Sequence, residues 1–295
     1  MPFLDSDKEG IDQVGNAPYG EGHGGRAGEY QFKSTGNADL DRAHAQFVPK
    51  RISSDVPTDL HGASLAPYAE PLAALGQPGL ALYRAALECL KSEYDELGLA
   101  HDAHRSFQVP NPSPITRQMN PTILPEESKV PLSQALVESL ERTARREARL
   151  TAVVDRGIET LANQIEAGLK FPFTTTVEVA TMSGIVEYVS KLSPGARNSF
   201  LETAVRSGDK QAVGAILNAP CYLCGMNPAE HQRLHDQAAE IWMPKEVAGL
   251  RAAQFMRTHL GRASTLTVTQ YNKLMPTIRQ TPQSAALANL RRGKA

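Results

Sequence analysis

LSQALVESLERTARREARLTAVVDRGIETLANQIEAGLK, residues 132–170, is the stretch that decides the fold. Leu136, Leu140, Ala144, Leu150, Val154, Ile158, Leu161, Ile165 and Leu169 keep a helical period across it, the spacing of one face of an α-helix. Glu138–Arg142 and Glu141–Arg145 are i,i+4 pairs in the favourable order, so the glutamates and arginines here read as a paired, solvated face. At about 1.5 Å per residue the helix is roughly 55 to 60 Å long. That is too long for a small domain, so its apolar stripe is expected to be covered by other helices or by other subunits.

On the N-terminal side, Pro110, Pro112, Pro114, Pro121, Pro125 and Pro131 crowd one stretch. Each removes a donor and disfavours helix before it, so residues 102–131 are expected to form an extended linker. A helical segment, 65–101, precedes it, with Leu80, Leu82, Tyr83, Ala86, Leu87, Leu90, Tyr94 and Leu97 at three- and four-residue steps over about 79–100. Residues 1–64 hold 6 basic and 10 acidic side chains, scattered glycines, and isolated rather than periodic Val14, Phe32 and Phe47. That composition predicts a disordered, acidic, Gly-rich arm.

On the C-terminal side, Phe171-Pro172-Phe173 ends the long helix. Thr174, Thr175 or Thr176 caps the next, about 177–192. Ser193-Pro194 starts a helix over about 194–207, Gly208-Asp209 precedes one over 210–217, and Asn227-Pro228 opens another. Pro244 marks a kink before a last helix at about 245–260. Residues 171–261 are thus expected to form a compact helical module closed by Leu217, Leu223, Met226, Leu234 and Trp242. Residues 262–295 read as a basic tail, since 245–295 holds 9 basic side chains and 1 acidic one. Only Thr265 to Val268 alternates like a strand. The fold class is all-α: extended helices, a small helical module, a disordered N-terminal arm and a basic C-terminal tail.

The chain has 295 residues, with 31 Lys+Arg against 32 Asp+Glu, and 41% hydrophobic but only 6% aromatic residues. This excludes a wholly basic protein, and collagen, coiled-coil rod and disulfide-scaffold compositions do not fit. Its 3 cysteines cannot make a disulfide framework. Met1 to Gly10 lacks the basic-then-apolar pattern of a secretory signal, and no apolar run approaches the roughly 18 residues of a membrane helix. A soluble protein made in a reducing cytoplasm, without membrane contact, is expected.

Cys221-Tyr-Leu-Cys224 followed by His231-Gln-Arg-Leu-His235 is the sharpest motif. Cys221, Cys224, His231 and His235 are candidate ligands of a structural, tetrahedral zinc. The gap between the pairs is shorter than the about 12 residues of familiar fingers. The competing reading makes the cysteines small core residues and the histidines exposed helix positions. Gly20-Glu-Gly22-His-Gly24-Gly25 spells a dinucleotide loop, but no strand precedes it, so it reads as flexible arm. His101 and His104 flank Asp102 beside Arg105, and read as a solvated helix end. Arg279, Arg291, Arg292 and Lys294 in the tail are candidate contacts to nucleic acid or to an acidic partner. No nucleotide-binding, hydrolase-elbow or kinase signature occurs, so no catalytic residues are assigned and the chain is read as a non-enzyme. No cofactor is expected apart from that zinc.

Leu192-Ser-Pro194-Gly-Ala-Arg, Ala204-Val-Arg-Ser-Gly208-Asp209 and Ala215-Ile-Leu-Asn-Ala-Pro220-Cys-Tyr-Leu-Cys-Gly225-Met follow one another. Residues 177–243 resemble short helical modules of poorly characterised tailed-bacteriophage proteins, virion or head-assembly components. The two cysteines fall where that pattern carries an apolar or small residue and a serine, which implies packing rather than zinc. The resemblance implies a structural assembly protein in the virion, made in the host cytoplasm, whose partners are copies of itself and other virion proteins. A zinc-stabilised or nucleic-acid-binding helical protein is the alternative.

Overall fold

The structure, a computed structural model, describes residues 28–30, 34–115 and 121–276. It is all-α. Among the described residues the helices are α1 (Ala38–Phe47), α2 (Ala66–Ala73), α3 (Gln77–Ser106), α4 (Glu126–Leu169), α5 (Thr176–Lys191), α6 (Pro194–Ser207), α7 (Lys210–Asn218), α8 (Pro228–Trp242) and α9 (Pro244–Leu274). Two antiparallel pairs of two-residue strands accompany them: β1 (Gly28–Glu29) with β2 (Arg51–Ile52), and β3 (Val109–Pro110) with β4 (Thr122–Ile123). No described helix is long and apolar enough to cross a membrane.

The chain divides into two compact units. The first takes in Met1–Pro67, Ala85–Thr151 and Thr258–Ala295, the second Tyr68–Arg84 and Ala152–Arg257.

In the first unit Leu40, Leu60, Leu65, Leu87, Leu90, Leu97, Leu132 and Leu136 are fully buried. A polar seam joins α3, α4 and α9. Ser139 Oγ donates to Glu96 Oε2 at 2.7 Å, so the Tyr271 hydroxyl, also 2.7 Å away, donates to Ser139. Thr267 Oγ1 donates to Glu93 Oε2 at 2.7 Å, and Ser264 Oγ to Glu147 Oε2 at 2.9 Å. Glu93 is 1% exposed. Burial pushes its carboxyl from the ordinary 4.5 up to about 7; the Thr267 hydrogen bond opposes this and the nearby Glu147 charge adds to it.

In the second unit Leu72, Tyr83, Val154, Val213 and Ile216 are among the fully buried side chains. Helices approach closely where Gly157 of α4 meets α3: a Cβ there would stand 2.1 Å from Leu82 Cδ2. The start signals work as the sequence implies. Thr175 with Glu178, and Asn227 with Glu230, form capping boxes; Ser193 caps Pro194-led α6; Asp209 caps α7. Pro244 is the first residue of α9.

Several boundaries differ from expectation. Of the arm expected over 1–64, residues 1–27 lie outside the described residues, but residues 34–64 carry structure. Asn37 caps α1 by accepting from Asp39 N and Leu40 N, and Leu40, Ala43, Val48, Val56 and Leu60 are buried. Leu40, Ala43, His44 and Phe47 do keep helical steps, but over one ten-residue helix, and Val48 packs toward residues farther along the chain: a Cβ on Gly62 would touch Val48 and Leu87. His61 is fully buried between the rings of Tyr30 and Tyr94. Its Nδ1 accepts from Ala63 N, so Nε2–H donates to Pro49 O at 2.8 Å.

The linker expected over 102–131 is shorter. α3 runs to Ser106, the β3–β4 pair follows, and α4 starts at Glu126 with Pro131 inside it. The tail expected from 262 begins later, because α9 reaches Leu274. Its buried face is Leu260, Ala263, Thr267, Tyr271 and Leu274, a helical stripe whose small and polar members conceal it, and Thr265–Val268 is helix rather than strand. The long stripe of α4 is also not left for neighbours. Leu132, Leu136, Leu150, Val154, Leu161, Ile165 and Leu169 are buried by the chain itself, with Ser139 and Thr143 filling its middle while Ala144 is exposed.

Because Glu93 holds its proton more tightly folded than unfolded, stability falls as pH rises from 4.5 to about 7 and then levels off. His44, His61 and His101 act oppositely: burial lowers their pKa values, so stability falls as pH drops below 6.5. Glu93→Gln, which keeps an acceptor for Thr267, is expected to raise urea stability at pH 8 by up to about 3 kcal/mol and to leave pH 4.5 unchanged. Equal effects at both pH values would contradict the burial argument.

Candidate functional site

One buried cation organises the second unit's exposed end. Arg197 on α6 is buried. Its Nε donates to Val189 O at 3.3 Å, one Nη to Leu192 O at 3.1 Å and the other to Gly225 O. The guanidinium thus closes the C-terminal end of α5 and ties it to the 3₁₀ turn Cys221–Cys224, whose C-cap is Gly225. Gly225 is required there: its φ is 66°, and a Cβ would stand 3.1 Å from the Arg197 guanidinium.

Anchored at this end, α5 presents a mostly uncovered apolar surface. Thr176–Lys191 buries only Val189 fully. Val177 is 75% exposed, Tyr188 is exposed on the same flank three turns on, and Val179 is exposed on the other flank. Val177, Ala180, Gly184 and Tyr188 recur at helical steps on the outward side, all exposed, with open space over Gly184. The neighbouring turn adds Tyr222, 74% exposed, and Leu223. Tyr188 is braced edge-on by Phe200, ring centroids 5.5 Å apart. These exposed apolar groups flank Ser183 and the Glu187–Lys191 ion pair, a mixed polar and apolar surface of the kind that suits a protein contact.

The sequence-predicted zinc ligands are engaged separately. Cys224 is buried, with Sγ 3.9 Å from Ile216 O, and His231 Nε2 lies 3.1 Å from that same carbonyl. Cys221 is half-buried. His235 Nε2 stands 2.9 Å from Glu166 Oε1, off hydrogen-bond alignment, and its Nδ1 stands 3.2 Å from Asp236 Oδ1. Among the described residues no three His, Cys, Asp or Glu side chains are grouped to hold a metal ion. Burial, and Cys221 beside it, push the Cys224 thiol pKa up, against the pull of Arg197. Of the residues expected to close the module, Met226 and Leu234 are buried, Leu217 and Trp242 are half-buried, and Leu223 faces outward. Trp242 still anchors α8, its Nε1 donating to Val205 O at 3.0 Å. Leu223 faces out because the 3₁₀ turn places Cys224, three residues after Cys221, on the inner side instead.

His104 Nδ1 meets Gln108 Nε2 at 3.2 Å, while the His101 Nε2 is buried without a hydrogen-bond partner among the described residues. Arg105 pairs with Asp55 at 3.0 Å and Asp102 at 2.8 Å. The 20–25 glycine loop and Arg279, Arg291, Arg292 and Lys294 lie outside the described residues.

A second charged feature lies in the first unit. Arg142, Arg145, Arg146 and Arg149, one face of α4, line an open concavity of about 330 Å³. Arg142 pairs with Glu96, Arg145 with Glu141 and Arg146 with Glu88. Sequence reasoning treated this face only as paired. It missed Arg197 altogether, and missed the α5 surface although Val177, Val179, Ile185, Val186, Tyr188 and Val189 place apolar groups all round that helix.

Arg197→Met would leave the Leu192 and Gly225 carbonyls without this donor and the Val189 carbonyl with the Leu192 N–H alone, and is expected to cost about 2 to 4 kcal/mol in urea denaturation. Arg197→Lys is expected to recover only part, because an ammonium lacks the planar fork; full recovery by lysine would contradict this account. Compared with protein-family models, with curated proteins and with solved structures, the chain matches none.

Proposed function

We propose that this chain is a non-enzymatic structural and assembly protein, a component of a bacteriophage virion, made in the host cytoplasm. Its partners are other copies of itself and other virion proteins. The observation that carries the reading is the set of exposed apolar side chains on α5, Val177, Val179 and Tyr188, together with Tyr222 and Leu223 on the turn that Arg197 ties to that helix. Leaving Val177, Val179, Tyr188, Tyr222 and Leu223 in water forgoes the roughly 25 cal/mol per Å² that covering them returns, and a partner surface supplies that cover. The virion assignment rests on the resemblance of residues 177–243 to phage head-assembly modules. The long α4 stripe no longer supports it, since the chain covers that stripe itself.

Sedimentation across a hundredfold range of protein concentration tests the contact. Self-association is expected, and a Val177→Asp, Tyr188→Asp double variant is expected to remain monomeric with an unchanged far-ultraviolet spectrum. A wild-type monomer at every concentration overturns the self-association part of the proposal.

A second reading, nucleic-acid contact, draws support from the α4 arginine row. Guanidinium groups suit phosphate oxygens, and among the described residues Arg149 has no ion pair. Under this reading Arg279, Arg291, Arg292 and Lys294 add further phosphate contacts. Duplex DNA binding is expected to weaken log-linearly with salt, and Arg145→Glu with Arg149→Glu to reduce its slope. Binding indifferent to salt would remove this reading.

A further inference from the structure

We propose that Cys221 and Cys224 form a reversible dithiol–disulfide site, closed by exchange with a small disulfide of the glutathione type. The inference goes beyond the assembly reading and does not depend on it. It rests on the geometry of the turn that carries both residues.

Cys221–Cys224 is a single 3₁₀ turn that begins after Pro220 and ends at Gly225, whose N–H reaches Cys221 O and Tyr222 O. A 3₁₀ helix has about three residues per turn and rises about 2.0 Å per residue, so residues i and i+3 stack on one side with Cα atoms about 6 Å apart. Disulfides span Cα separations of about 4.4 to 6.8 Å, so this turn brings the pair to bonding range with little backbone movement. The two residues between them, Tyr222 and Leu223, point to solvent and do not obstruct the bond.

The environments of the two sulfurs differ as an exchange pair requires. Cys221 is half-buried and reachable, whereas Cys224 is fully buried against Ile216 O. The accessible sulfur is the one an incoming disulfide can meet, and the buried one is sheltered from it. Arg197, beside Cys224, lends positive charge to a thiolate forming there.

The Cys221 thiolate attacks one sulfur of the oxidant, forming a mixed disulfide and expelling one small thiolate, which takes a proton. Cys224 gives up its proton to solvent and attacks the Cys221 sulfur. The second small thiol leaves, and the protein holds one S–S bond. Two protein thiols are oxidised and one external disulfide is reduced to two thiols. Cys89 lies in the other unit, buried next to Glu93, and serves as an internal control.

The full chain is equilibrated in glutathione buffers of increasing oxidised fraction, quenched in acid, unfolded, alkylated and mapped by peptide mass spectrometry. The expected result is an intramolecular Cys221–Cys224 link that appears with oxidation and is lost on reduction, while Cys89 stays fully alkylated. Cys224→Ser is expected to accumulate glutathione on Cys221, and Cys221→Ser to leave Cys224 a thiol. Independently of any variant, phenylarsine oxide is expected to protect Cys221 and Cys224 together from alkylation. Survival of both wild-type thiols in the most oxidising buffer, or glutathione on Cys224 as readily as on Cys221, would overturn the proposal.

Discussion

The end of the second unit depends on one guanidinium. A buried arginine without a carboxylate is costly unless its donors are used, and Arg197 spends them on the carbonyls of Val189, Leu192 and Gly225. The first two lie at the end of α5, where Val189 O also accepts from Leu192 N and Leu192 O stands past the last helical residue; the third belongs to the residue that ends the 3₁₀ turn. That side chain adds to the packing of α5 against α7 and the 3₁₀ turn. With its C-terminal end fixed in this way, α5 can leave most of its own apolar surface in water and still hold its place.

The first unit solves the opposite problem. Where α3, α4 and α9 come together, the middle of the core is polar, built from Glu93, Glu96, Ser139, Thr143, Thr267 and Tyr271. Each hydroxyl has a carboxylate, hydroxyl or carbonyl partner, so the desolvation cost is largely met, but a carboxyl as buried as Glu93 remains a source of pH sensitivity. Such a seam specifies register among three helices that an all-leucine stripe would allow to slide.

That seam also explains what the sequence hides. The helices with apolar repeats and cap residues are legible: Thr175, Ser193, Asp209 and Asn227 each cap the helix they were expected to start. The C-terminal half of α9 is not, because its inward positions include Ala263 and Thr267, which read as polar tail until Glu93 is seen opposite. α1 is hidden for a related reason. It is only ten residues long, and a polar residue, His44, stands among its inward positions with Leu40 and Ala43. Leu223 misleads in the other direction: apolar neighbours suggest core, but three residues per turn put Cys221 and Cys224 on one side and send Tyr222 and Leu223 away from it. The chemistry of the candidate site is least legible of all, since a lone Arg197 among small residues gives no local sign that three distant carbonyls meet it.

These features converge on one piece of backbone. The turn after Pro220 supplies two of the exposed apolar residues, carries both thiols, and is fastened through Gly225 to the same guanidinium that closes α5. A covalent bond between Cys221 and Cys224 would replace the Cys224 thiol's contact with Ile216 O and leave that carbonyl to His231. Tyr222 and Leu223 stand on a turn that packs against both α5 and α7. Contact through this surface and chemistry at the two sulfurs therefore fall on one turn, whichever partner covers the helix.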